Sequence, residues 1–130
     1  IKLCGKLEAE SSILPDEEKK LFLEEYNLSE PGLTKLIHTS YKLLELETFF
    51  TVRGREAKAW IIKNGMIATE AAGEIHTDME RGFIKAEVYT YDDLMQYKSE
   101  SALKDGGKIR LEGKNYIVQD GDIIFFKFNV

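Results

Sequence analysis

The chain has 130 residues, of which 43% are hydrophobic, and it carries a formal net charge of −5 at pH 7. This length supports one moderate hydrophobic core with a helical appendage and excludes two full domains. The acidic balance excludes a protein that coats nucleic acid by bulk electrostatics, so any RNA contact must be a local basic patch.

The single cysteine, Cys4, excludes an internal disulfide and a paired-cysteine zinc site, and it fits a reducing compartment. No run approaches the ~18 apolar residues of a membrane-spanning helix, and no basic-then-apolar leader is present. The sequence therefore predicts a soluble, cytoplasmic protein with no membrane partner. Because the chain starts at Ile1 and not at a methionine, we expect it to be the end of a longer protein.

The first third of the chain predicts helices after a short extended segment, Ile1 to Gly5. One helix is predicted from Leu14 to Tyr26, with Pro15 at its first position and three acidic residues in its first turn. A second helix follows Pro31. Its apolar residues recur at three- and four-residue spacing, and such a stripe is more often core than a partner groove: Leu33, Leu36, Ile37, Tyr41 and Leu44. The two helices are predicted to form a helical hairpin.

From Glu47 the apolar pattern changes to a period of two, which is typical of strands. Strands are predicted at Thr48 to Val52 and at Ala57 to Ile62, joined by a short turn that contains glycine. The Asn64-Gly65 turn leads into a short helix that ends at Gly73, followed by a polar loop. This order of elements is the beginning of a β-grasp fold.

The remaining residues predict one further strand, two short helices, a hairpin and a final strand. In the first of these strands, alternation places two sets of residues on opposite faces: Ile84, Ala86 and Val88 toward the helix, and Phe83, Lys85 and Glu87 away from it. Helices are predicted at Tyr91 to Tyr97 and at Ser99 to Lys104, with Ser99 as the N-cap. Lys108 to Leu111 and Asn115 to Gln119 are predicted to form the hairpin. The last strand, Ile123 to Asn129, is apolar on both faces, which predicts a central position in the sheet.

Motifs for phosphate or metal chemistry are absent from the sequence. No glycine fits the phosphate-loop pattern G-x-x-x-x-G-K-[ST], so the chain by itself is not expected to be an enzyme. His38 and His76 lack the ligand spacing of a metal site. His76 and Asp78 could form an acid–base pair, but the structural alternative is favoured, because Thr77 and Glu80 have the spacing of a helix capping box.

The strongest indication of a function is a predicted sheet face that carries basic and aromatic side chains. By alternation, the side chains on this face are Phe83, Lys85, Lys108, Arg110 and Lys127. Exposed cations beside an aromatic ring can bind phosphate while the ring stacks on a base. We predict that Arg81, Lys85, Lys108 and Arg110 lie on one sheet face and its rim. The alternative is an ordinary polar face exposed to solvent, because the negative charges of Glu87 and Glu112 reduce the net positive charge of this face.

A series of motifs follows in fixed order from Glu47 to the last residue. They are Ala71-Ala72-Gly73, Ile75 to Asp78, Arg81 to Val88, Glu112-Gly113-Lys114, Gln119 to Asp122, and Phe128-Asn129-Val130. In this order and spacing they resemble the C-terminal TGS region of the YchF/Obg-like ATPase family. Three departures, Lys58, Ile61 and Met79, affect details of a surface.

The resemblance implies an α+β chain with a β-grasp (ubiquitin-like) TGS domain at residues 47–130. Residues 1–46 would be the end of a nucleotide-binding domain and the helical hairpin. The longer parent would be a ribosome-associated P-loop ATPase that binds ATP or GTP with Mg²⁺, whereas this chain would hold no cofactor. Cys4, Gly5 and Lys6 would lie near the purine base of that nucleotide, or else belong to a packed or disordered terminus.

The resemblance also implies that this end of the parent docks on the ribosome or on ribosomal RNA, and not on DNA. The residues expected to make this contact are His76, Arg81, Phe83, Lys85, Lys108, Arg110 and Lys114. The alternative is a protein–protein adaptor that uses apolar surface on its ubiquitin-like sheet.

Overall fold

A computed structural model describes residues 1–130, and the chain divides into two units, Ile1–Leu44 and Glu45–Val130. The first unit is helical and contains α1 (Gly5–Ser12), α2 (Asp16–Glu25) and α3 (Gly32–Leu43). The two predicted helices correspond to α2 and α3. The sequence does not predict α1, because that segment has little apolar periodicity, and the first unit therefore holds one helix more than the predicted hairpin.

A long-range cap organises the first unit. Both carboxylate oxygens of Glu8 in α1 accept hydrogen bonds from the backbone N–H of Gly32, at 2.9 and 3.1 Å. This carboxylate accepts from a backbone N–H that has no partner within α3, and its negative charge interacts favourably with the positive end of the helix dipole. A Cβ at position 32 would collide with Glu8, so the close approach requires glycine.

The apolar stripe of α3 is exposed within the first unit, so it does not form a core there. Leu33 is 65% exposed, and Leu36, Ile37 and Leu44 are exposed as well. A period of 3.6 residues identifies an amphipathic helix, but it does not identify what covers the apolar side. Within the first unit, no other helix buries the stripe.

The second unit is built on a five-stranded sheet. Its strands are β1 (Leu46–Arg53), β2 (Glu56–Lys63), β3 (Phe83–Thr90), β4 (Arg110–Glu112) and β5 (Asp122–Phe128). Its helices are α4 (Ala68–Ile75), α5 (Thr77–Arg81), α6 (Tyr91–Tyr97) and α7 (Glu100–Asp105). The strand order is β2-β1-β5-β3-β4, in which β1 and β5 are parallel and the other neighbours antiparallel. The last strand is central, as predicted, and β2 and β4 are the edges.

The main core lies between the sheet and α4. Ala71 and Ala72 of α4 are fully buried, and their small side chains allow the helix to approach the strands closely. Phe126 of β5 packs edge-on against Phe49 and Phe83, with ring centroids 5.9 and 6.1 Å apart. Trp60 stacks on Phe49, so the only tryptophan of the chain reports on this core.

The opposite face of the sheet has a smaller core that covers part of it. Tyr89 of β3 and Ile123 of β5 pack against Leu103 of α7. The predicted N-cap of that helix is confirmed, because the Ser99 hydroxyl accepts a hydrogen bond from the Ala102 N–H at 3.2 Å. Beyond this cluster the face is open to solvent.

A β-bulge corrects the predicted faces of β3. The register between β3 and β5 shifts between Phe83 and Lys85, so Ile84 is the extra residue. Phe83 is therefore buried in the main core and Ile84 is 56% exposed, the reverse of the prediction. Strict alternation fails here because an inserted residue moves every side chain before it to the other face.

The predicted second hairpin is also wrong. β4 pairs with β3, but residues 115–119 do not form a strand beside it. Instead, Ile117 forms an isolated bridge with Ile67, and the Val118 N–H donates to the Met66 carbonyl at 3.1 Å. Val118 is completely buried, so the segment lies beside the start of α4 and fills the main core.

The predicted helix end at Gly73 and the loop after it require correction. Gly73 lies inside α4, and Thr77–Arg81 form α5 in place of a loop. A Cβ at position 73 would lie 2.8 Å from a carboxylate oxygen of Glu80 in α5. The glycine thus permits the close packing of two helices and does not end the first one.

Candidate functional site

The structure separates two cations that were predicted to share a sheet face. Lys85 of β3 lies directly opposite Lys127 of β5, on the open side of the sheet. Arg110 of β4 lies opposite Val88, which is buried under α4. Directly opposed residues project to the same side of a sheet. Lys85 and Arg110 therefore lie on opposite faces, and the prediction of one shared face is wrong.

The other predicted contact residues lie at separate places on the second unit. Lys108, just before β4, forms an ion pair with Asp93 at 3.5 Å. Arg81 and His76 are exposed at the two ends of α5. Lys114 lies in the loop before residues 115–119, and its carbonyl accepts from the Thr69 hydroxyl at 3.0 Å. These residues do not form one patch.

The buried carboxylate of Asp122 lies at the centre of a hydrogen-bond network that includes Arg110. It accepts hydrogen bonds from the Tyr116 hydroxyl at 2.7 Å and the Gln119 N–H at 2.9 Å. The Arg110 guanidinium lies 3.5 Å from Asp122 and 3.6 Å from Glu112. Burial and the bond to Asp122 raise the pKa of Tyr116 to about 12, so the hydroxyl keeps its proton. Arg110 thus belongs to a network of ion pairs within the domain, and its side chain is 47% exposed.

Glu47 lies beside this network in an unfavourable environment for a charge. Its Oε2 atom is buried and has no hydrogen-bond partner. Burial raises the pKa of Glu47 above its ordinary value of 4.5, and the charges of Asp120 and Asp122 raise it further. An acid whose pKa is raised by folding destabilises the folded state when it is ionised.

We therefore expect Glu47→Gln to stabilise the second unit at neutral pH by up to about 1 kcal/mol. The gain should shrink as the pH falls through the raised pKa and be lost at a pH below 4.5, where Glu47 is protonated in both the folded and the unfolded state. Urea unfolding followed by Trp60 fluorescence at both pH values measures this difference. Glu56→Gln, on the exposed turn of the same hairpin, is the control and should change little; a loss of stability for Glu47→Gln at neutral pH would contradict the argument.

His76 has a structural role at the start of α5. Its Nδ1 atom accepts a hydrogen bond from the Asp78 N–H at 3.1 Å, so His76 itself is the N-cap of the helix. The expectation of a structural role is confirmed, whereas the predicted cap, Thr77, is the first residue of the helix. Nδ1 must be unprotonated to accept this bond.

The residues that the structure brings together on the open side form what we call the open-face patch: Lys85, Lys104, Leu111, Phe125 and Lys127. The Lys127 ammonium lies 4.6 Å from the centre of the Phe125 ring and 3.6 Å from Glu87. Lys85 and Lys104 border one depression with Leu111, and neither forms a salt bridge. The patch therefore combines two cations without a salt bridge, Lys85 and Lys104, with Lys127, which is paired with Glu87, and with an aromatic ring that is 48% exposed.

Phe125 takes the place that the sequence analysis gives to Phe83. The bulge removes Phe83 from this face, while Phe125 remains two residues from Lys127 and on the same side of β5. The period of two along β5 was sufficient to find it.

A model of the protein family YchF-GTPase_C, described as "Protein of unknown function (DUF933)", matches residues 46–129. The chain belongs to this YchF family. Among its relatives, a "Ribosome-binding ATPase YchF" of Bacillus subtilis is 52% identical over all 130 residues, and that of Haemophilus ducreyi is 51% identical over the same length. The chain spans 36% of the length of each of these two relatives.

A solved structure of the Schizosaccharomyces pombe YchF GTPase has a similar fold. It matches with a TM-score of 0.76 and 36% sequence identity, over 91% of this chain and 31% of that one. The mixed α+β fold with a five-stranded sheet is therefore shared with a YchF protein.

The segment implied to approach the nucleotide of a YchF parent begins α1. Cys4 is the N-cap of α1 without a side-chain hydrogen bond, and Gly5 and Lys6 are its first residues. The first-turn N–H groups of this helix have no partner within it. No cluster of His, Cys, Asp or Glu side chains is placed to hold a metal ion. No helix of the chain combines the length and apolarity needed to cross a bilayer.

Proposed function

We propose that residues 47–130 form a TGS domain with the β-grasp fold, which docks a YchF-type parent onto the ribosome by contacting ribosomal RNA through the open-face patch. The observation that carries the proposal is the pairing of Lys85 and Lys127 beside exposed Phe125. Cations hold phosphates and an aromatic ring stacks on an unpaired base, which together suit single-stranded or looped RNA. The name of these relatives, ribosome-binding ATPase, supports the same partner.

The β-grasp assignment rests on topology and on the family. The first and last strands of the sheet are parallel neighbours, and α4 packs across one face of the sheet. A β-grasp domain has this arrangement of a helix on a mixed sheet. Its free face then remains available for contacts, and in this chain that face carries the open-face patch.

Nucleotide chemistry belongs, in this proposal, to segments of the cytoplasmic parent outside this chain. Residues 1–46 would complete a nucleotide-binding domain, with Cys4, Gly5 and Lys6 near the purine base of ATP or GTP. The phosphates and Mg²⁺ require a phosphate loop and acidic ligands. This chain would therefore contribute docking to a parent ATPase and no catalytic residue.

Charge reversal of Lys85 and Lys127 tests the docking proposal. The double variant Lys85→Glu with Lys127→Glu should weaken co-sedimentation with ribosomes at least about tenfold and lower the dependence of log affinity on log salt by roughly one unit per lost phosphate contact. Phe125→Ala should weaken binding with little change in that salt dependence, because stacking on a base carries no charge.

The matched control is Lys20→Glu with Lys42→Glu, two exposed lysines of α2 and α3 that make the same change in net charge. Trp60 fluorescence verifies that the second unit of each variant is folded, and far-ultraviolet circular dichroism verifies that the helices of the control variant are retained. Equal losses for the two double variants, or binding that does not depend on salt, would refute the open-face patch as the RNA contact. Binding that resists both salt and nuclease would instead favour the protein-adaptor alternative.

A further inference from the structure

The two central strands of the sheet separate after a single paired position. β1 and β5 run parallel and pair at Phe50 and Ile123. Beyond this position β1 continues to pair with β2 and β5 with β3, each on its outer side. The facing edges, residues 51–53 and 124–128, have no strand between them.

A groove of about 400 Å³ occupies this separation. Phe125 and Phe126 both line it, as do Thr51 and Val52. Consecutive residues of a strand point to opposite faces of a sheet. Because this groove is lined by consecutive residues of β1 and of β5, it lies in the plane of the sheet, between the strands. Its sides are therefore the edges of the two strands, which carry backbone N–H and C=O groups.

The remaining lining is apolar except for one cation. Ile75 and Met79, from α4 and α5, lie on one side, and Phe128 lies at the end of β5. Arg53 is the one charged residue of the lining, it is exposed, and it makes no ion pair. Nucleic acid needs several cations for its phosphates, and this groove offers one.

We propose that this groove binds an extended segment of a partner polypeptide that has alternating apolar side chains and one acidic residue. The backbone of the segment would hydrogen-bond to the free strand edges, as in other cases of strand addition. Its apolar side chains would pack against Phe128 and Met79, and its carboxylate would pair with Arg53. This contact is separate from RNA docking, although Phe125 borders both surfaces.

A selection from random peptides of about eight residues, longer than the usual strand of about five to six, tests the proposal on the 130-residue chain. The selected peptides should alternate apolar and polar residues and include an acidic residue. A synthetic copy of the most enriched peptide should shift the backbone amide resonances of Val52 and Phe128. Its affinity should fall at least about tenfold for Phe128→Ala, the usual loss at an anchoring side chain.

Two charge reversals identify the acidic contact. Arg53→Glu should remove the preference for an acidic residue, whereas Arg55→Glu, in the turn that follows β1 and outside the groove, should keep it. Lys85→Glu with Lys104→Glu, at two cations of the open-face patch that do not line the groove, should leave peptide affinity unchanged. Failure to enrich any peptide over the Phe128→Ala variant would overturn the proposal, and so would an acidic preference that survives Arg53→Glu. If Phe128→Ala weakens ribosome binding and no peptide is enriched, the groove belongs to the RNA surface and the proposal fails.

Discussion

Phe126→Ala should destabilise the second unit by about 3–5 kcal/mol, the usual cost of truncating a buried phenylalanine. Phe126 is 5% exposed and lies at the centre of the sheet, in contact with Phe49 and Phe83. Its removal leaves a cavity among rings that cannot close without moving two other strands. Urea unfolding followed by Trp60 fluorescence measures this loss, because Trp60 stacks on Phe49 in the same core.

The adjacent residue on the same strand provides the control. Phe125 points to the other face and is about half exposed, so Phe125→Ala should cost less than about 1 kcal/mol. The two substitutions remove the same atoms from neighbouring positions. Similar losses for both variants would mean that Phe126 is not in the core.

Asp122→Ala should cost about 2–4 kcal/mol, because each buried donor left without an acceptor costs about 1–3 kcal/mol. The carboxylate is 3% exposed and accepts from the Tyr116 hydroxyl and the Gln119 N–H, so both donors would lose their partner. The Arg110 guanidinium would also lose its buried counter-charge. Unfolding in urea, again followed by Trp60, gives the free-energy difference.

Tyr116→Phe separates one part of this network from the rest. It removes the donor and leaves Asp122 bonded to Gln119 and near Arg110, so the expected cost is about 0.5–1.5 kcal/mol. Asp105→Ala, at the exposed end of α7, is the control for loss of a carboxylate. If Asp122→Ala is no more harmful than Asp105→Ala, the network does not stabilise the fold.

The sequence predicted those parts of the fold that follow from local periodicity. The apolar character of both faces of β5 predicted its central position, and the glycine-containing turn after β1 predicted the first hairpin. The order of motifs identified the family, which the match over residues 46–129 confirms.

The errors arose where distant residues decide the structure. The bulge at Ile84 depends on how β3 meets β5, and it exchanged the faces of Phe83 and Ile84. The face of Arg110 depends on its register opposite Val88, which no pattern within β4 records. The separation of β1 and β5 likewise has no local signal, so the groove between them could be found only in the structure.

The two edges of the sheet bear on how the domain behaves when many copies are close together. β4 has three residues, too few to template a second sheet, and β2 carries Lys58 and Lys63 along its exposed edge. Short edges and edge lysines oppose the pairing of one sheet with another. These two outer edges therefore oppose edge-to-edge association between copies of the domain at high concentration, which leaves the edges between β1 and β5 as the places where another strand could add.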